Sequence, residues 1–272
     1  MARILSKDTR LCMSLSGRPG NFGTRFHNAL YDLLELDYVY KAFTTTDLPA
    51  AIGGVRALGI RGCAVSMPFK EACIPHLDAL DPSAAVIGSV NTIVNDEGHL
   101  TGYNTDYLAV ASLVRSHAVD PTSTLLLRGS GGMGKAVAVA LRDSGFAGST
   151  LAARNALAGQ GLAQACGYDW VPSAEGHVAQ VLVNVTPLGM DGGPEAGQLA
   201  FSAEQVASAE VVFDVVAIPV ETPLIRLARS LGKRVITGGE VIVLQAVEQF
   251  VLYTGVRPTP EQIRQAEAVA RA

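Results

Sequence analysis

A short apolar run, Thr124-Leu125-Leu126-Leu127, precedes Gly129-Ser130-Gly131-Gly132-Met133-Gly134, and a helix-forming run from Lys135 to Ser144 follows. Strand, G-x-G-x-x-G, helix is the local pattern of a dinucleotide-binding turn. The first glycine makes the tight turn, the second lets the backbone approach a pyrophosphate, and the third lets the helix pack close to the strand. The first N–H groups of the helix then face the phosphates. Lys135 after Gly134 also brings the segment near the P-loop pattern G-x-x-x-x-G-K-[ST], but Ala136 lacks the hydroxyl that would hold magnesium. Phosphate-cleaving chemistry is therefore disfavoured. Gly129, Ser130, Gly131, Gly132, Met133 and Gly134 are candidate cofactor-binding residues.

Around this turn the chain alternates short β-like runs with helical ones. Strands are expected at Arg10–Leu15, Tyr38–Phe43, Gly62–Ser66, Thr124–Leu127, Ser149–Ala153, Val181–Val185, Val211–Val216 and Arg234–Ile236. A helix from about Thr24 should present Phe26, Leu30, Leu33 and Leu34, and another should span Leu48 to Leu58. Later helices are expected over Val241–Leu252 and from Pro260, where Thr259, Pro260 and Gln262 spell an N-cap, a first-turn proline and a capping-box partner. Such alternation implies parallel β-α-β units. The 272 residues suit two domains, and 49% hydrophobic with 17% charged residues excludes a disordered chain. The expected fold is α/β: two open α/β domains, an N-terminal substrate domain and a Rossmann-type NAD(P)-binding domain, with a cleft between them. The substrate-binding domain is assigned residues 1–106 plus 240–272 and the dinucleotide-binding domain 107–239, joined by a helix around Tyr107–His117.

Composition removes other classes. A net charge of −4 leaves no broad basic face for nucleic acid. Apolar stretches break before the ~18 residues a membrane span needs, and Met1 to Asp8 lacks the apolar centre of an export signal, so a cytoplasmic location is expected. Cys12, Cys63, Cys73 and Cys166 are scattered, and the five histidines are isolated, so no metal site is expected. Composition is compatible with a monomer or a homodimer.

The second strand of the nucleotide unit ends Ala152-Ala153-Arg154-Asn155. An NAD-preferring unit usually carries an acid there for the ribose 2′-hydroxyl, whereas a guanidinium suits a 2′-phosphate. NADP is therefore the preferred cofactor, with NAD as the alternative if Arg154 is an ordinary solvated side chain.

Polar motifs stand at expected strand ends in the first half: Ser14-Leu15-Ser16, Pro68-Phe69-Lys70, Asn91-Thr92 and Asn104-Thr105-Asp106. In open α/β sheets ligands bind beyond the carboxyl ends of strands. With His27-Asn28, the glycine loop, Asn184-Val185-Thr186-Pro187-Leu188-Gly189-Met190, Thr222-Pro223-Leu224 and Gln245, these ordered motifs resemble the shikimate dehydrogenase family over almost the full length. Gly62 to Met67 and Glu240 to Gln249 look closer to its divergent shikimate-dehydrogenase-like branch.

The resemblance implies an NAD(P)-dependent oxidoreductase that interconverts a ring alcohol, shikimate or a close analogue such as quinate, and its 3-dehydro ketone by hydride transfer. Lys70 and Asp106 match the family's catalytic acid–base pair. Ser14 and Ser16 match hydroxyls that hold the substrate carboxylate, and Ser66, Asn91 and Gln245 match positions that bond ring hydroxyls. Arg154 matches the arginine of the 2′-phosphate loop, with Asn155 beside it a further cofactor candidate, while Asn184, Thr186, Pro187, Val215 and Gly238 fall near ribose and nicotinamide. The expected partner is a small cyclic hydroxy-acid.

Departures concern the substrate. Gly17 replaces the proline of Ser-x-Ser-Pro and opens a longer glycine-rich loop, Ala64 and Ser66 replace the Asn and Thr of Asn-Val-Thr, and Ala217 replaces a tyrosine after Asp214. Losing polar partners in such a site alters discrimination by several kcal/mol. Ala153 and Asn155 also replace the residues that flank the arginine in the cofactor loop. The alternative is a nucleotide-binding regulatory module of the same fold with little or no turnover.

Overall fold

The computed structural model describes residues 4–272, and the chain divides into two compact units. One unit runs up to Thr105 and resumes from Val243 to Ala272; the other is Asp106–Ile242.

In the first unit, β1 (Arg10–Leu15), α1 (Phe22–Leu33), β2 (Tyr38–Phe43), α2 (Leu48–Ala57) and β3 (Gly62–Val65) follow the predicted alternation. β1 lies between β2 and β3 and pairs in parallel with both, placing Ser14 opposite Ala42 on one side and Ala64 on the other. The short α3 (Phe69–Ala72), a turn at Ile74–His76, β4 (Ala79–Leu80) and α4 (Pro82–Ala85) lead to β5 (Thr92–Asp96) and β6 (His99–Tyr103). The sheet order is β2-β1-β3-β5-β6-β4.

β5 and β6, which are not among the strands expected from the sequence, depart from the parallel pattern: β5 runs antiparallel to both β3 and β6. Glu97 and Gly98 form a two-residue connection with φ of 52° and 92°, the positive values such a hairpin needs. Asn95 Oδ1 accepts the Gly98 N–H at 2.7 Å and holds that turn. The reversal sets Thr92 opposite Ala64, so the start of β5 lies beside the end of β3.

Helix α1 begins at Phe22 rather than Thr24 and buries Phe26, His27, Leu30 and Tyr31. The expected apolar stripe is therefore displaced, and Leu33 is 41% exposed. His27 and Tyr31 sit one turn apart on the buried face. His27 stacks on Tyr40 with ring centroids 4.4 Å apart, and Phe250 and Tyr253 complete the aromatic cluster. Met13 and Leu15 point to the other face of β1 and pack with Ile52, Val55, Val65 and Ile93. Fully burying one such side chain contributes about 1.5–3 kcal/mol.

α5 (Thr105–Ser116) leads into the second unit. Its elements are β7 (Leu125–Arg128), α6 (Gly132–Asp143), β8 (Thr150–Ala152), α7 (Ala156–Cys166), β9 (Asp169–Val171), β10 (Val181–Asn184), α8 (Ala203–Ser208), β11 (Val211–Asp214), α9 (Pro223–Ser230) and β12 (Arg234–Thr237). All strand pairs are parallel, in the order β12-β11-β10-β7-β8-β9. The strand order reverses at β7, and the glycine turn follows β7 directly. β10 and β11 are buried along their whole length, as expected of strands covered on both faces.

The chain returns to the first unit through α10 (Gly238–Thr254), which begins three residues before Val241, and ends in α11 (Pro260–Arg271). The predicted capping box is present. Thr259 Oγ1 accepts the Gln262 N–H at 3.3 Å, and Gln262 Oε1 accepts the Thr259 N–H at 2.8 Å. α11 packs along α1. Among the described residues no helix is long and apolar enough to cross a membrane.

Candidate functional site

Because β5 reverses, several segments meet at one edge of the first sheet. Ser16 follows β1 and Ser66 follows β3; the Ser66 N–H donates to Leu15 O at 3.0 Å and the Gly17 N–H to Met67 O at 2.9 Å. Lys70 lies on α3, just after the cis Met67–Pro68 peptide. The Val90 N–H donates to Lys70 O at 2.9 Å, the Val65 N–H to Asn91 O at 2.8 Å and the Asn91 N–H to Tyr103 O at 3.0 Å. Backbone hydrogen bonds thus gather Ser16, Ser66, Lys70, Asn91 and the start of the Asn104-Thr105-Asp106 segment. Ser66 is exposed, Ser14, Ser16 and Lys70 are half-buried, and Asp106 is buried. The Ser14 side chain interacts with that of Tyr40, and Ser16 Oγ accepts the Arg18 N–H at 3.2 Å.

Asn91 is oriented by its neighbours. Its Oδ1 accepts from Thr105 N at 2.8 Å, Thr92 Oγ1 at 2.9 Å and Thr105 Oγ1 at 3.2 Å. With the oxygen fully engaged, Nδ2 is the end of the amide available to a ligand. Gln249, on α10, donates from Nε2 to Thr92 Oγ1 at 3.1 Å and to Asn91 O at 3.3 Å. Gln245 is half-buried one turn earlier on the same helix, so it lies along the face that meets Asn91. Thr92 and Thr105 belong to polar motifs that the sequence singles out, without a role of their own, and Gln249 is not among the candidates. The four-residue spacing from Gln245 on one helix is the signal for Gln249.

His27 lies wholly inside the aromatic cluster, and neither ring nitrogen meets a partner at hydrogen-bonding geometry, although the Gln249 side chain interacts with the ring. Burial lowers its pKa to about 3, with Gln249 opposing, so the ring is neutral.

In the second unit Gly129 takes φ +122°, and its N–H donates to Ala152 O at 2.9 Å. A Cβ there would come within 2.8 Å of the Val185 side chain, and one at Gly134 within 3.0 Å of Gly129 O. These are the tight-turn and close-packing positions. Gly131 and Gly132 are exposed, and a Cβ on either would meet nothing within 4 Å. α6 starts at Gly132 rather than Lys135 and carries no side-chain cap. Open space, bare backbone and an uncapped helix start fit a dinucleotide pyrophosphate. Ser130 and Met133 flank this space, both half-buried.

The remaining cofactor candidates separate into two groups. Arg154 is exposed just beyond β8, Pro187 is exposed, and Thr186 and Val215 are half-buried at the ends of β10 and β11. Asn155 is also exposed, but its Oδ1 caps α7 by accepting the Ala158 N–H at 3.1 Å. Asn184 is completely buried: Nδ2 donates to Asp214 Oδ1 at 2.9 Å, and Oδ1 accepts from Thr186 N and Oγ1 at 3.0 and 2.6 Å. It shapes the loop after β10 and offers no side-chain atom to a ligand. Asp214 also accepts from Thr222 Oγ1 at 2.7 Å; burial raises its carboxyl pKa, against these hydrogen bonds. Gly238 is buried, and a Cβ there would lie 2.3 Å from the Val216 carbonyl, so it is a packing glycine.

The strand order with its glycine turn at the point of reversal defines a Rossmann-type dinucleotide-binding α/β protein. The model of the shikimate dehydrogenase substrate binding domain matches residues 22–93. The shikimate dehydrogenase-like protein of Haemophilus influenzae is 57% identical over 98% of this chain and 99% of its own. The chain belongs to the shikimate dehydrogenase family. Among solved structures, shikimate 5-dehydrogenase from Thermus thermophilus, in complex with NADP(H) and shikimate, superposes with a TM-score of 0.86. It is 30% identical, over 96% of this chain and 99% of that one. Quinate dehydrogenase from Corynebacterium glutamicum, in complex with NAD, superposes with a TM-score of 0.87. It is 29% identical, over 95% and 98%.

Proposed function

We propose that this chain is an NAD(P)-dependent oxidoreductase that interconverts shikimate, or a close analogue such as quinate, with its 3-dehydro ketone, and that NADP is its preferred cofactor. The single observation that carries the reading is the gathering of Ser16, Ser66, Lys70 and Asn91 by backbone hydrogen bonds at one sheet edge. Family membership and the ligands named for the Thermus and Corynebacterium relatives support it.

In this reading Lys70 Nζ donates the proton to the carbonyl oxygen during reduction and takes it back during oxidation. Asp106, the residue after Thr105, orients that amine and bonds a substrate hydroxyl. Ser14 and Ser16 receive the carboxylate. Ser66, the Nδ2 of Asn91 and Gln245 address the ring hydroxyls. On the cofactor side, the Gly131 and Gly132 backbone and the start of α6 hold the pyrophosphate, and Arg154 meets the 2′-phosphate. When bound, the nicotinamide supplies or accepts the hydride.

Steady-state assays with shikimate and with quinate, each with NADP and NAD, test this reading. Turnover with one of the two acids is the expected result. Nucleotide binding without turnover across a panel of cyclic hydroxy-acids would instead identify a regulatory module. Ala217, half-buried where the family carries a tyrosine, is the observation that favours that second reading.

A further inference from the structure

We propose that Arg128 acts with Arg154 as a two-guanidinium site for the 2′-phosphate of NADP, a specificity role that rests on the dinucleotide reading above. Arg128 ends the otherwise apolar strand β7, immediately before Gly129. Its register partner is Ala152, the last residue of β8, and Arg154 follows two positions later. The two arginines therefore leave neighbouring strand ends on the side of the turn where a Rossmann unit reads the adenosine ribose, about 20 residues past its glycines.

The two side chains differ in anchoring. Arg154 is exposed, whereas Arg128 is half-buried and its guanidinium donates to the backbone carbonyl of Ala200. Neither guanidinium has a carboxylate at ion-pair distance among the described residues. Partial burial and the charge of Arg154 lower the Arg128 pKa, while Glu175 acts in the opposite sense. Two like charges drawn together without a paired acid form an arrangement that a bound anion completes.

The anion is identified by what else the loop offers. Ala153 is buried, and the side-chain oxygen of Asn155 is committed to capping α7. The β8 loop thus presents one cation and no further polar side chain from its two flanks. A phosphate monoester has three acceptor oxygens and takes two guanidinium forks readily. The pyrophosphate is disfavoured as the ligand because the bare start of α6 already suits it.

The test is calorimetric titration of the full chain with adenosine 2′,5′-bisphosphate and with 5′-AMP, which differ only in the 2′-phosphate. The wild-type chain should prefer the bisphosphate. Arg128→Gln and Arg154→Gln should each weaken it about ten- to a hundredfold, the scale of one charge-assisted contact, with 5′-AMP binding unchanged. An Arg128→Gln chain that binds the bisphosphate as wild type does, or loses both nucleotides equally, overturns the proposal. Should that variant not fold, Arg154→Gln decides alone: Arg128 must leave it a residual preference for the bisphosphate, and loss of all preference overturns the assignment. Equal wild-type affinity for the two nucleotides removes the Arg128 role but leaves the oxidoreductase reading standing. Binding of neither nucleotide, nor of NADP or NAD, would remove the dinucleotide reading itself.

Discussion

The Asn91 Oδ1 atom lies 2.8 Å from the backbone nitrogen of Thr105, so the side chain immediately before β5 holds the first residue of α5, one position before Asp106. The same oxygen accepts from the Thr92 hydroxyl. One amide therefore joins the segment carrying a proposed substrate donor to the segment carrying a proposed catalytic carboxylate.

Asn91→Leu should destabilise the chain by about 1–3 kcal/mol in urea unfolding, because it leaves the buried Thr105 N–H and Thr92 hydroxyl short of an acceptor. Asn91→Asp keeps the acceptor oxygen and should retain most of the stability, yet it replaces the Nδ2 donor. A raised KM for the cyclic hydroxy-acid in Asn91→Asp, with unfolding close to wild type, separates binding from scaffolding.

Lys70→Ala should reduce turnover about 10²–10⁴-fold, the usual worth of a positioned acid–base group. Dinucleotide affinity should not change, because Lys70 is assigned to the substrate rather than to the cofactor. Near-normal turnover in this variant would take Lys70 out of the mechanism.

His27 gives acid sensitivity a defined sign. Its folded pKa, about 3, lies below the ordinary value of 6.5, so between these values the unfolded chain binds more protons than the folded one. The stability tied to the neutral ring is complete above pH 6.5 and is lost as pH falls, with a slope approaching ~1.4 kcal/mol per pH unit. His27→Phe keeps an aromatic ring against Tyr40 and removes the titration. Urea midpoints taken from pH 7 down to pH 4 should fall less steeply in that variant than in wild type, and parallel curves would contradict the assignment.

Two glycines should respond oppositely. Gly238→Ala would drive a Cβ to 2.3 Å from the Val216 carbonyl, and overpacking of this kind typically loses about 1–3 kcal/mol. Gly131→Ala places its Cβ in open space, so the thermal midpoint should hold while NADP binding weakens. Calorimetry for both the melt and the titration checks the contrast, and a destabilised Gly131→Ala chain would count against the open-turn description.

Much of the architecture is legible in local pattern. The strand–turn–helix at Gly129, the β1 and β2 strands and the capping box at Thr259 each depend on residues close in the chain, and each forms, the helix starting at Gly132 rather than Lys135. β5 and β6 were harder to read because their alternation is short and polar at its ends. The Glu97-Gly98 connection is their only strong marker, and it turns β6 back against β5. Gln249 is hidden for a different reason: its partners, Thr92 and Asn91, are more than 150 residues away along the chain.

The sequence by itself determined the α/β class, the pyrophosphate-type turn and the set of polar motifs, since residue identity and near-neighbour spacing carry those features. Which motif residues face a ligand was decided only by tertiary structure. Asn184 and Asn155 look alike as motif members, yet one is buried in a network with Asp214 and the other caps a helix. His27, singled out in the sequence only as part of the His27-Asn28 motif, lies in an aromatic core. Arg128 gains its neighbour Arg154 only through the pairing of β7 with β8. Burial, hydrogen-bond satisfaction and charge proximity depend on contacts between distant segments, and no local pattern encodes them.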